Sequence, residues 1–135
     1  MTNRNESRPN VGQTLAVIED ELSKLKSAPQ LFLHAWKRGV ELAGTQYFGE
    51  AQSDDVQTVT CKWDLCPKVE FIRQSIGPLS PGEKIFLASL VSFYNAEDGG
   101  RLLRSAGVDG FADLGRLDPQ RRAVIAALIL HYTGW

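Results

Sequence analysis

Cysteine is scarce in this chain: Cys61 and Cys66 are the only two in 135 residues. That excludes a disulfide framework and fits a reducing compartment, so a cytoplasmic protein is expected. Histidine is equally sparse, at His34 and His131. A structural zinc site would have to use all four of these side chains, so no metal is expected. The cysteines do not form a Cys-x-x-Cys redox motif. Long apolar runs are also missing. The longest, Ala123–Leu130, has eight residues, against the roughly 20 that a bilayer-spanning helix needs. The polar start, Met1–Pro9, has no apolar stretch of the kind a secretory leader carries. Charge of one sign is lacking as well. Fifteen Lys and Arg face sixteen Asp and Glu, for a net charge of −1. Residues 1–67 hold seven basic against nine acidic side chains, and residues 68–135 hold eight against seven. Neither half has a general electrostatic case for nucleic acid or an acidic membrane.

What is present is helix punctuation. After an unpatterned tail at 1–9, Val11, Leu15, Ile18, Leu22 and Leu25 recur at spacings of 4, 3, 4 and 3, an apolar seam on one helical face. Asn10 and Gln13 are placed as a capping pair. The seam spans just over two heptads, so the expected arrangement is a surface helix docked on the core, with dimer formation as the alternative. Pro29 is expected to end this helix and start a second one over 30–47, burying Phe32, Leu33, Trp36, Val40, Ala43 and Tyr47. Residues 50–55 read as a loop. Over 56–65 the strict alternation of Val59-Thr60-Cys61-Lys62-Trp63-Asp64-Leu65 favours a short extended segment over a helix. Pro67 starts a short helix with Val69, Phe71, Ile72 and Ile76, and Gly77-Pro78 stops it.

Ser80-Pro81-Gly82-Glu83 opens a helix running to about Tyr94 that is apolar nearly all round and therefore central. Asn95-Ala96-Glu97-Asp98 starts the next, and Gly107-Val108 ends it in a Schellman turn. Residues 109–114 make a turn or single-turn helix. Asp118-Pro119 opens the last helix, to about Tyr132, with Gly134 as its cap and Trp135 folding back on its final turn. The fold expected is mainly α, a compact bundle of about six helices forming one domain over 10–135, with room for one short extended segment near 56–65.

No catalytic or cofactor constellation emerges. The acid pairs Asp54-Asp55 and Glu97-Asp98 fit loop and capping positions. Asp98-Gly99-Gly100 and Asp109-Gly110 lack the alternating ligands of a calcium loop, and no phosphate-binding glycine pattern occurs. No orienting carboxylate accompanies His34 or His131. The suggestive group is Arg101, Arg104, Arg116, Arg121 and Arg122. Arg121 and Arg122 occupy a helix's first turn, where cations oppose the macrodipole. These arginines form either a contact patch for an acidic partner or, the favoured reading, pairs with Glu97, Asp98, Asp109, Asp113 and Asp118.

The stretch from Arg104 to Leu114 resembles the turn of a helix-turn-helix, although Asp109 and Asp113 would then face phosphates. The aromatic set Trp36, Tyr47, Phe48, Trp63 and Trp135 is larger than a small core requires. Trp36 reads as core and Trp63 as a half-exposed interface anchor. These features lead to the expectation of a non-enzymatic helical interaction or regulatory protein. Its partner would be another protein or a second copy, with no cofactor and no membrane. The alternative is a DNA-binding regulator using segment 96–122, and behind it an enzyme of unrecognised type with a pocket lined by Cys61, Cys66, His34 or His131.

Overall fold

Five α-helices and four short 3-10 turns make up the described residues. The computed structural model describes residues 10–49 and 55–135, with 24 and 25 as backbone only. The expected tail at 1–9, and residues 50–54 of the expected loop, lie outside them. The helices are α1 (Val11–Ala43), α2 (Val69–Ser75), α3 (Pro81–Tyr94), α4 (Ala96–Ser105) and α5 (Pro119–His131). The fold is mainly α, a helical bundle.

The caps read from the sequence form. Asn10 and Gln13 cap reciprocally, each backbone N–H donating to the other's side chain, at 3.0 and 2.8 Å. The Ser80 hydroxyl accepts from the Glu83 N–H at 3.4 Å and donates to the Glu83 carboxylate at 2.6 Å. Asn95 and Asp118 cap α4 and α5. Gly107, at φ 87°, ends α4 in the expected Schellman turn, with the Val108 N–H donating to the Leu103 carbonyl.

α3 is the central element. Every residue from Ile85 to Val91 is buried, as its nearly all-round apolar surface implies. α4 folds back along it, and the contact requires a glycine: a Cβ on Gly99 would collide with the Ser92 backbone. α5 lies antiparallel to the second half of α1. The Phe32 ring is 5.7 Å from Tyr132, and Gly39 faces the side chains of Leu90 and Val124. Phe32, Trp36 and Val40 are buried in this contact. Aromatic residues counted in the sequence as surplus are core: Trp36, Tyr47 and Phe48 are all buried.

Three expectations are corrected. Pro29 does not divide α1, which runs unbroken for 33 residues with Pro29 inside it. The carbonyl of residue 25 loses its helical donor, since proline has no N–H, at a cost of about 3 kcal/mol. Pro29 is exposed, so that carbonyl can turn to water. Packing of Ala28, Phe32 and Ala35 sets the helix direction immediately downstream.

The second correction concerns the seam, which is not docked on the core. Val11 is 76% exposed, Leu22 50% and Ile18 46%, and Leu15 is similarly open. Residues 11–26 therefore form an arm, the first half of α1, projecting beyond the end of α5.

The third concerns 56–65, which holds no strand. It consists of 3-10 turns at Val56–Thr58 and Lys62–Leu65 joined through the extended residues Val59 and Cys61. Alternation would have put Val59, Cys61, Trp63 and Leu65 on one face, yet Val59 and Leu65 are buried while Cys61 and Trp63 are exposed. Side chains of α1 hold this segment instead. Lys37 donates to the Gln57 carbonyl at 3.1 Å, and the Gln57 amide donates to Glu41 at 2.5 Å. Among the described residues, β-type pairing is limited to a bridge between Phe48 and Pro67.

The unbroken helix makes a prediction with a clear sign. Pro29→Ala restores the missing hydrogen bond and should raise the unfolding free energy by about 1–3 kcal/mol. Were Pro29 the first residue of a separate helix, the same change would lower stability by about 0.4–1 kcal/mol through the more flexible unfolded chain. Urea denaturation of the two proteins decides between them.

Candidate functional site

The five arginines flagged in the sequence do not converge on one open patch. Arg101 pairs with Glu97 at 2.6 Å, one turn earlier on α4. Arg116 lies 3.5 Å from Asp113 and donates to the Gly107 carbonyl at 3.4 Å. Arg121 pairs with Asp118 at 2.5 Å, and its guanidinium sits 5.6 Å from the Phe86 ring centroid. Arg122 donates to the carbonyls of Leu117, at 3.2 Å, and Gly115. Arg104 alone of the five has no ion pair or hydrogen bond among the described residues. The i+3 and i+4 spacings to acidic residues carry most of this pairing.

Asp118 resolves the apparent conflict of two arginines at the start of α5. Its carboxylate accepts from the Arg121 backbone N–H at 2.9 Å and also from the Arg121 guanidinium. Those two hydrogen bonds hold the Asp118 carboxyl below the usual carboxylate range. The cation is thus neutralised where the helix dipole would oppose it. Asp113 is lowered in the same way, first by the backbone N–H groups of Asp109 and Gly110 and then by Arg116.

Trp63 is 57% exposed, as the sequence suggested. It stands at the edge of an aromatic nest around Trp135. The Trp135 ring lies 4.8 Å from Trp36, 5.3 Å from Tyr94 and 6.1 Å from Trp63. Trp135 therefore folds back onto α1 and α3 and not onto the last turn of α5. Lys62 closes the nest. Its ammonium donates to the Gly134 carbonyl at 2.6 Å and lies 5.2 Å from Trp135 and 5.5 Å from Phe32. The buried Trp135 indole N–H has no oxygen or nitrogen acceptor. The Cys66 thiol beside it donates to the Trp63 carbonyl at 3.1 Å. Burial pushes that thiol above its ordinary value, against the lowering influence of the indole. The nest fastens the C-terminal residues to the base of the arm, and its aromatics are packing partners of one another.

Two apolar features remain open, the first missed in the sequence and the second seen there but expected to dock on the core. One is a cavity of about 500 Å³ between α3, α4 and α5, lined by Phe93, Leu103, Val108 and Ile125. Arg104 and Asp109 both reach it, so its charged residues are of opposite sign. Phe111 lies beside it, 88% exposed. The available signal was a lone aromatic in a turn, matching the period of neither flanking helix. The other feature is the arm seam, seen in the sequence as apolar but assigned to the core. At its base Tyr132 is also exposed, with its ring against Phe32.

Among the described residues no group of three or more His, Cys, Asp or Glu side chains is placed to hold a metal ion. No helix among them is long and apolar enough to cross a membrane. No protein-family model matches the chain, and no curated protein or solved structure matches it.

Two measurements check this geometry. Groups with lowered folded pKa values stabilise above the unfolded carboxylate value, about 3.9, and lose that effect as pH falls through the folded value. Asp118→Asn should therefore destabilise at pH 6, with the difference from wild type shrinking toward pH 3, as read by urea unfolding at each pH. A constant difference would show that the carboxylate charge contributes nothing. Alkylation of the native protein near pH 8 should modify the exposed Cys61 rapidly and the half-buried Cys66 slowly. Equal rates would mean that the nest around Cys66 is open.

Proposed function

We propose that the protein is a non-enzymatic interaction protein in which the bundle holds a helical arm, and the apolar seam of that arm binds another polypeptide. The observation that carries this reading is the exposure of Val11, Leu15, Ile18 and Leu22 along one face of a helix whose other half is buried in the core. Scattered apolar residues on a surface need no explanation, but a contiguous row at heptad spacing is a helix-pairing face. The arm needs no separate nucleation, because it extends a helix already formed and anchored downstream. The buried core of the domain includes none of Val11, Leu15, Ile18 or Leu22.

The nucleic-acid reading of segment 96–122 draws less support from the side chains. Four of its five arginines are occupied by Glu97, Asp113, Asp118 and the carbonyls of residues 107, 115 and 117.

The double variant Leu15→Asp/Ile18→Asp tests the interaction reading. In dilute protein its unfolding free energy should stay within about 0.5 kcal/mol of wild type, as for exposed positions. A loss of about 2–5 kcal/mol, the range for buried leucine, would place the seam inside the fold and end the reading.

A further inference from the structure

We infer that the occupant of the arm seam is a second copy of this chain, paired with it in parallel and in register. The inference rests on the reading above, and three features of the arm favour it.

The first is periodicity. With Leu15 and Leu22 taken as a positions and Val11, Ile18 and Leu25 as d positions, every a and d position from 11 to 25 is Val, Leu or Ile. An interface with an unrelated partner does not need this strict heptad register. A two-stranded coiled coil does.

The second is charge. In this register Glu21 is a g position and Lys26 the e position five residues later, the spacing at which g and e side chains meet across a parallel dimer. Two symmetry-related Glu21–Lys26 pairs would form. Neither residue has an ion-pair partner of its own among the described residues. The other flanking positions, Gly12, Thr14 and Glu19, bring no like charges together in parallel. In an antiparallel pair g positions lie beside g and e beside e, so Glu21 and Lys26 no longer meet. Parallel pairing is the arrangement the charges favour.

The third is extent. Residues 11–26 span about 24 Å at 1.5 Å per residue, on a helix about 10 Å wide. That strip is smaller than the roughly 800 Å² per partner of a standard stable interface. The dimer is therefore reversible and concentration-dependent. Pro29 limits the zipper at its downstream end, because it occupies the next a position and α1 enters its own domain there. Parallel pairing then sets the two domains side by side at the same end of the zipper.

Sedimentation equilibrium on the full-length chain, over micromolar to millimolar concentrations, tests the proposal. Wild type should pass from monomer to dimer. Glu21→Lys turns both interchain pairs repulsive and should weaken association about tenfold at low salt, an effect that added salt screens. Glu21→Lys combined with Lys26→Glu should restore it. Leu15→Asp/Ile18→Asp should remain monomeric throughout.

Wild type that stays monomeric to the highest concentration overturns self-pairing. If the Asp double variant nevertheless keeps wild-type stability, the interaction reading survives with a different partner. A tightened Glu21→Lys dimer overturns the parallel arrangement. A dimer that persists in the Asp double variant overturns the seam as its contact.

Discussion

The fully buried Trp36 side chain is the contact on which the rest of the molecule depends. Its indole N–H donates to the Leu65 carbonyl at 2.9 Å, and its ring packs against Phe32, Phe48 and Trp135. Three pieces meet there: α1, the irregular 3-10 segment and the C-terminal residues. An unsatisfied indole N–H at such a site would be costly, so the hydrogen bond fixes where the chain after residue 62 must run. Once Trp36 is seated, the direction of α1 is determined, and with it the direction of everything upstream. The arm is a lever whose bearing is this one side chain.

Legibility in the sequence divided along physical lines. Interactions within a turn or two of chain could be read directly. The N-caps at Asn10, Ser80, Asn95 and Asp118 formed, as did the Schellman turn at Gly107, and Arg101, Arg116 and Arg121 found acids three or four residues away. Interactions that depend on distant partners were harder to read. Alternation around Trp63 implied an extended segment, but side chains of α1 bind that stretch as 3-10 turns, and the packing overrides local preference. Pro29 fits the start of a helix as well as its interior, and only the burial of Ala28 and Phe32 on either side distinguishes the two. The close approach of α3 to α4 at Gly99 has no local signature beyond the glycine itself.

The seam shows most clearly where sequence reasoning stops. Periodicity says which residues share a helical face, and it identified Val11, Leu15, Ile18 and Leu22 correctly. It does not say what covers that face. A row of apolar residues looks the same whether its own domain or a second molecule buries it, so the usual expectation of core packing was applied and failed. Places where a chain departs from an otherwise consistent pattern are where function is sought. Here two departures coincide on one element: a proline tolerated within a helix, and an apolar face held out of the core. Both are costs to the isolated fold, and pairing of the arm offsets the second.

Amide hydrogen exchange along α1, measured as a function of protein concentration, tests this account most directly. In dilute protein, amides from 32 to 43 should exchange as slowly as the core of α3, and those from 15 to 26 much faster, because only the former are backed by packing. Raising the concentration should slow exchange in the arm and leave the downstream half unchanged. Protection of the arm equal to that of the core in dilute protein would mean that the seam is buried within its own chain, contradicting the central claim.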